Sequence, residues 1–453
     1  MTIADLMLLR LHNQHLLSPG FFPAADLCGL QAQFLRNAMH ALRIRSGEVF
    51  MDDLVKTWTL RGTVHLVPER DLPLYIRHCG GPEDVCRSGW YQWTAGRGHA
   101  NAPAREVELA RLTVEAIAAG IKYLLYSVLG ASMALFGIFL FWKYGTTLEF
   151  TAGGVLTAES MAGHENLMRA AAFLMLVGFG VKAGLFPLHG WLPTAHPVAP
   201  APASAVLSGV ITKAGVLGSL RVVYYLAGAD FLRGSWVQYA WMGLTLFTVF
   251  LGSMMAYRED LFKKRLAYST VSQVSYVLFG LSTMTEMGFV GALLHIVFHS
   301  AIKNTLFMSA GAVIHQTGKT KVSELRGIGK QMPVTMWCFV VVSAGLIGIP
   351  PTAGFISKWY LAGGAVAMEA GAFSWMGPAT LLLSAILTAG YLLSVAIRGF
   401  FPGTDFDYAG LEKAEPDWKM LVPMLVLAVA VLLGGMFPGA LIGFASSIAS
   451  LVL

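Results

Sequence analysis

The sequence predicts a mostly α-helical protein. It reads as a polytopic membrane helix bundle of about ten spans, with broken helices, preceded by a small winged-helix-like α/β module. Three observations predict this. The 453-residue chain is 55% hydrophobic and only 13% charged, outside the range of ordinary soluble proteins. Residues 122–453 contain one apolar stretch after another, each near the roughly 20 residues that a bilayer crossing needs. Residues 1–120 contain none of that length, and their charges are spread evenly.

Eight spans are predicted from the apolar runs, at 122–142, 170–188, 204–226, 236–257, 266–284, 287–314, 378–398 and 420–436. Residues 333–369 add one or two more, and 437–453 a final short pass. Pro/Gly clusters interrupt three places: Phe186-Pro187-Leu188-His189-Gly190-Trp191-Leu192-Pro193, then 196–202, then 348–354. Broken helices leave backbone groups that lipid cannot satisfy, so they persist where protein or a water-filled path surrounds them, often at ion sites.

The net charge of +6 falls in the membrane half, because residues 1–120 hold 12 Lys/Arg against 12 Asp/Glu. That placement favours topology over nucleic-acid binding as its cause. Basic loops at 258–265 and 315–331 are separated by two spans and so share one side, cytoplasmic by the positive-inside rule. Four spans precede the first loop, which predicts that residues 1–120 are cytoplasmic too. The four cysteines, Cys28, Cys79, Cys86 and Cys338, have no metal or redox spacing and read as ordinary thiols. Residues 1–9 lack a basic start, so no signal peptide is expected.

Ionisable residues inside spans are costly and therefore functional candidates. Here they are Lys182, Lys213, His295, His299, Lys303 and Lys358, with His189 in the first broken stretch. His295, His299 and Lys303 recur every four residues, which stacks them on one helix face as a candidate proton wire. Each Lys also admits a second reading, as a stem reaching the interface, and the histidines admit one as hydrogen-bonded packing residues. Ile296 follows His295 where a zinc hydrolase needs Glu, so no metal site is expected, and no cofactor.

The stretch 181–196 around Lys182 resembles the proton-translocating antiporter-like subunits of respiratory complex I (NADH-quinone oxidoreductase) and of Mrp-type Na+/H+ antiporters. So do 208–221 around Lys213, 264–273, 299–311 around Lys303 and 348–359 around Lys358. The resemblance covers residues 121–453. It implies a proton-conducting subunit of the inner (cell) membrane of a bacterium or archaeon. Its partners would be other membrane subunits, the bilayer, protons and, in an antiporter, Na+. It also implies that Lys182 and Lys213 are central channel residues and that Lys358 ends the channel on the outward side. In one respect the chain departs from the family. The family's first helices, one of which carries a membrane-embedded Glu that pairs with the Lys matching Lys182, have no counterpart here. No Asp or Glu lies well inside any span.

In residues 1–120, helices are predicted at 3–16, 24–43, 69–77 and 106–119, with two short strands about Arg61-Gly62. Gln31-Ala32-Gln33 together with Trp58, Arg61-Gly62-Thr63 and His65 resembles the first module of winged-helix DNA glycosylases acting on alkylated or crosslinked bases. The resemblance implies that Gln31 and Gln33 position a water at the glycosidic carbon, with DNA as the partner of this module. That family builds its site from several such modules and on a basic face; one neutral module implies a fragment. The two resemblances meet at 119–122 with no Gly/Ser, Pro or charged linker, so the chain reads as a chimera. The membrane half is the longer and chemically fuller part. Proton translocation is the expected function. The glycosylase reading is the alternative, and a membrane scaffold without conduction is a third.

Overall fold

A computed structural model of the chain describes residues 58–61, 63–66, 102–147, 149–407 and 411–453. They belong to two compact units, Met1–Ile121 and Lys122–Leu453. In the first, strands β1 (Trp58–Arg61) and β2 (Thr63–Leu66) pair antiparallel, with Thr59 opposite His65 and Leu60 opposite Val64. This is the hairpin expected about Arg61-Gly62. The helices predicted at 3–16, 24–43 and 69–77, and with them most of the winged-helix module, lie outside the described residues.

The rest is helical. Helix α1 (Ala102–Tyr144) is followed by α2 (Glu165–Ala183), the short α3 (Trp191–Val198), α4 (Ala201–Ala227) and α5 (Trp236–Arg258). Then come α6 (Phe262–Ser282), α7 (Glu286–Thr317), α8 (Pro333–Ile347), α9 (Ala353–Ala367), α10 (Ala372–Phe400), α11 (Trp418–Met436) and α12 (Gly439–Val452). Among the described residues, seven helices are long and apolar enough to cross a membrane: α1 from Glu115, α2, α4, α5, α7, α10 and α11. The sequence predicted about ten. Helices α8 and α12 are apolar but shorter, and the fifth of the eight expected spans, 266–284, forms as α6 without reaching the apolarity of a span. The reason is its place in the bundle. Helix α6 carries Ser269, Thr270, Ser272, Gln273 and Ser275, all buried, and packs on α5, α7, α9 and α10. A helix surrounded by protein has no need of a lipid-compatible surface.

Helix α7 is the central post. Two thirds of its apolar window is buried (67%), against 28% for α1 and 17% for α11, which present apolar faces outward. Its N-terminus is capped by the Thr285 side chain, which accepts from the Gly288 N–H, and Gly318 ends it in the left-handed conformation. The two basic loops meet at one end of the bundle. Phe262 N–H donates to the Thr320 carbonyl at 2.9 Å, Val322 N–H to the Asp260 carbonyl at 2.8 Å, and Ser323 Oγ to Asp260 Oδ2 at 2.7 Å. The shared side inferred from charge is therefore a direct contact. Residues 401–407 and 411–417 join this end, where Arg326 pairs with Asp405 at 2.8 Å and Glu415 accepts from the Val334 N–H at the start of α8 at 2.5 Å. At the opposite end, Arg233 donates to the Met284 carbonyl and Gln238 to the Ser282 carbonyl.

The breaks fall where the Pro/Gly clusters predicted. Helix α2 stops at Ala183, followed by Gly184 at φ +88°, and the 184–190 turn leads into α3. Helix α8 stops before Gly348 at φ +92°, and α9 begins five residues later.

Candidate functional site

The site is a row of ionisable side chains strung between these breaks. It begins on α4. A wide π-type turn at Leu207–Ile211 loosens the helix just before Lys213. Such turns free a carbonyl from the usual ladder and recur at functional sites. Within this turn the Ser208 carbonyl accepts from Lys213 Nζ at 2.5 Å and from the Thr212 hydroxyl at 3.0 Å. Lys213 is buried, at 5% exposure. Its ammonium nitrogen also lies 2.7 Å from His299 Nδ1 on α7.

The four-residue spacing on α7 then does what the sequence predicted. The rings of His299 and His295 stack at 5.8 Å between centroids, 20° from parallel. His295 Nδ1 lies 2.9 Å from Ser357 Oγ on α9, and its Nε2 lies 3.2 Å from Gln273 Oε1 on α6. Tyr276 stacks on the other neighbour face of His295 at 5.6 Å, and Lys358 Nζ sits 5.1 Å from the same Tyr276 ring. Lys358 reaches back across the α8/α9 break and donates to the carbonyls of Leu346 at 2.6 Å and Ile347 at 2.9 Å. Those carbonyls end α8 and have no intrahelical partner, so a cation satisfies them. Lys213, His299, His295, Ser357, Tyr276 and Lys358 thus form one contiguous string over four helices, within hydrogen-bond distance at Lys213–His299 and His295–Ser357 and in ring contact elsewhere, with His299 Nε2 unpartnered among the described residues.

Lys303, one turn further along α7, is fully buried and donates to the Leu266 carbonyl at 3.0 Å and to Ser269 Oγ. From His295 to Lys303 the α7 row covers about 12 Å along the helix axis. Lys182 occupies the last turn of α2 and donates to the Tyr123 hydroxyl on α1, with its ammonium 4.7 Å from the Tyr123 ring and 5.9 Å from Trp191. It lies beside α4 because Gly215 lets the two helices close. A Cβ there would stand 2.5 Å from the Phe179 carbonyl oxygen and 3.1 Å from Lys182 Cβ. His189 lies in the 184–190 turn, its ring 5.8 Å from Phe186, and makes none of the string's contacts. Gln31 and Gln33 lie outside the described residues.

Several members escaped sequence reasoning. Gln273 and Tyr276 carried a signal, being polar at helical spacing on a helix too polar for a lipid-facing span. Ser357 stands beside Lys358 and was visible only as its neighbour. Ser208 contributes a backbone carbonyl, and Tyr123 belongs to a run of tyrosines and apolar residues; neither had a signal. His196 is buried and stacks on Phe307 at 4.5 Å, and neither ring nitrogen has a hydrogen-bond partner among the described residues.

A helix bundle with a buried Lys–His string and helices broken beside it defines a class: membrane proteins built around an intramembrane ionisable axis. Comparison with known proteins makes the class specific. The transmembrane family described as NADH:quinone oxidoreductase/Mrp antiporter matches residues 107–388, and this chain belongs to it. It is 35% identical over 332 residues to NADH-quinone oxidoreductase subunit N of Desulforudis audaxviator (strain MP104C), covering 71% of this chain and 65% of that one. To hydrogenase-4 component B of Escherichia coli (strain K12) it is 31% identical over 342 residues, covering 72% and 50%. The chain thus spans about half to two thirds of the length of these relatives. The same fold occurs in a chain of the Mrp complex from Dietzia sp. DQ12-45-1b, with a TM-score of 0.64 at 19% identity over 99% of this chain and 89% of that one. A chain of respiratory complex I from Thermus thermophilus shares it too, with a TM-score of 0.60 at 20% identity over 99% and 93%.

Proposed function

We propose that this chain carries protons across a cell membrane, as one membrane subunit of a complex I-like NADH-quinone oxidoreductase or an Mrp-type cation/proton antiporter. The observation that carries the reading is the contiguous string from Lys213 through His299 and His295 to Ser357, Tyr276 and Lys358. An imidazole donates at one nitrogen and accepts at the other, so it can take a proton on one side and release it on the other. Lysines held in protein rather than water lose much of the solvation that fixes their charge, which lets them exchange protons with such neighbours. Electron transfer falls to other subunits of the assembly.

The same geometry supports a sidedness for the path. The joined basic loops mark the cytoplasmic end. Helix α9 runs from the break beside Lys358 to Met368, near Gln238 at the opposite end of the bundle. Lys358 is therefore the member of the string from which an outward release path begins. Lys182 and His189, at the α2/α3 break, stand at the other flank of Lys213.

Proton flux in vesicles reconstituted with the assembly tests the reading. Lys213→Ala is expected to lower flux about tenfold, the effect of roughly 1.4 kcal/mol on the limiting barrier. Lys182→Ala is expected to lower it as well. Unchanged flux in both variants refutes conduction and leaves a scaffold.

A further inference from the structure

A second polar feature lies where α6 meets α10 and α5. Ser269, Ser272, Gln273 and Tyr276 on α6, Ser384, Thr388 and Tyr391 on α10 and Ser253 on α5 are all at most 1% exposed. Their spacing of three and four residues places each set along one helix face. Burying so many hydroxyls costs stability relative to apolar packing, and each must find a partner. The three serines at its centre find one another, whereas Thr388 Oγ1 donates to the Ser384 carbonyl at 2.7 Å and Gln273 Nε2 has no partner among the described residues. Ser253 Oγ lies 2.8 Å from Ser272 Oγ and 2.6 Å from Ser384 Oγ, and Ser272 and Ser384 are 3.3 Å apart. The Tyr391 hydroxyl donates to Thr388 Oγ1 at 3.3 Å, and Ser269, which binds Lys303, lies one turn along α6 from Arg265, the residue that holds the Tyr391 carbonyl. The Tyr276 hydroxyl donates to the Leu381 carbonyl at 2.9 Å, three residues before Ser384 on α10.

The two ends of this seam coincide with the ends of the α7 row. One end is Lys303. The other is Tyr276, which stacks on His295 and lies under the Lys358 ammonium. Arg265 pins the Lys303 end, donating to the Tyr391 carbonyl and to Ser394 Oγ, both at 2.9 Å.

We propose that the α6/α10 hydroxyl seam is a second proton-conducting branch, joining Lys303 to Tyr276 and Lys358 in parallel with His299 and His295. The proposal rests on the proton-carrying reading of the site. Every hydroxyl is both donor and acceptor. At each hop one O–H bond forms as the next one breaks, so the seam returns to its starting composition after passing a proton. The Lys303 ammonium supplies the proton through Ser269 and is refilled from the basic-loop end. The step from Thr388 to Ser384 spans one helical turn, about 6 Å, the reach of one bridging water.

The test uses the reconstituted assembly with His299→Ala, which cuts the histidine row. Residual flux above that of protein-free vesicles is expected. Adding Thr388→Val, which keeps the shape and removes only the hydroxyl, is expected to lower that residue at least about fivefold, whereas Thr388→Ser keeps it within about twofold. Tyr391→Phe in the same background should match Thr388→Val, and unchanged melting of all these variants separates conduction from folding. Two results overturn the branch: no residual flux in His299→Ala, or residual flux indifferent to both Thr388→Val and Tyr391→Phe. Wild-type flux that ignores Lys213→Ala and Lys182→Ala instead overturns the functional reading, and the branch with it.

Discussion

At the scale of single residues, the chemistry depends on where an ammonium can find oxygen or nitrogen inside an apolar bundle. Lys213 finds the Ser208 carbonyl and His299, Lys303 finds Ser269 and the Leu266 carbonyl, and Lys358 finds the two carbonyls that end α8. Four of these partners are backbone carbonyls, and three of them, those of Ser208, Leu346 and Ile347, lie in a π-type turn or at a helix end, so irregularity and charge go together. The close approach of α2 and α4 beside Lys182 depends on Gly215 in the same way. Gly215→Val is expected to destabilise the bundle by about 1–3 kcal/mol, because its side chain would overlap backbone of α2 rather than a movable side chain. A melting curve in detergent measures it; an unchanged curve would show that α2 and α4 can separate without loss. The lysines and histidines themselves were legible in the sequence, because charge inside an apolar run is rare. Their partners were not, since a carbonyl carries no sequence signature and a serine is neutral in any pattern.

At the scale of elements, the breaks were legible and the enclosure of α6 by protein was not. Gly348 with Pro350 and Pro351, and the Phe186–Pro193 cluster, can continue no helix, and the chain stops at both. Helix α6 was expected as a span because in its second half Val274, Val277, Leu278, Phe279 and Leu281 outnumber Ser275, Tyr276 and Ser282. Only packing reveals that its serines and Gln273 face protein on every side. Residues 401–407 and 411–417 form an element of another kind, a strap outside the spans. It is tied by Arg326 to Asp405 and to the Pro402 carbonyl, and by Glu415 to the start of α8. The hydrogen bond from Arg326 holds the Asp405 carboxyl below the usual carboxylate range. Because the folded value is the lower one, this contribution is present above the ordinary carboxylate range and is lost as pH falls through the folded value. Proteolysis within 401–417 should therefore speed up in acid, and Asp405→Asn should show the faster cleavage already at neutral pH, with little further change on acidification. An Asp405→Asn strap as resistant as wild type at neutral pH would show that the pair does not tie it down.

At the scale of the whole molecule, the bundle brings together residues from α4, α6, α7 and α9, which are far apart in the chain and contiguous only in the fold. The sequence showed the membrane class, that the two basic loops lie together, and the family. It could not show that α7 is the post on which the string hangs, because the number of neighbours around a helix is a property of packing. The central claim is that Lys213 and His299 act as one step of a proton path. The measurement that tests it most directly is proton flux in vesicles containing the assembly with Lys213→Ala, His299→Ala and both together. Residues that act as a unit are non-additive. The account predicts that each single variant loses about tenfold and that the double variant loses no more than either. Losses that multiply in the double variant, or flux that neither substitution changes, would contradict it.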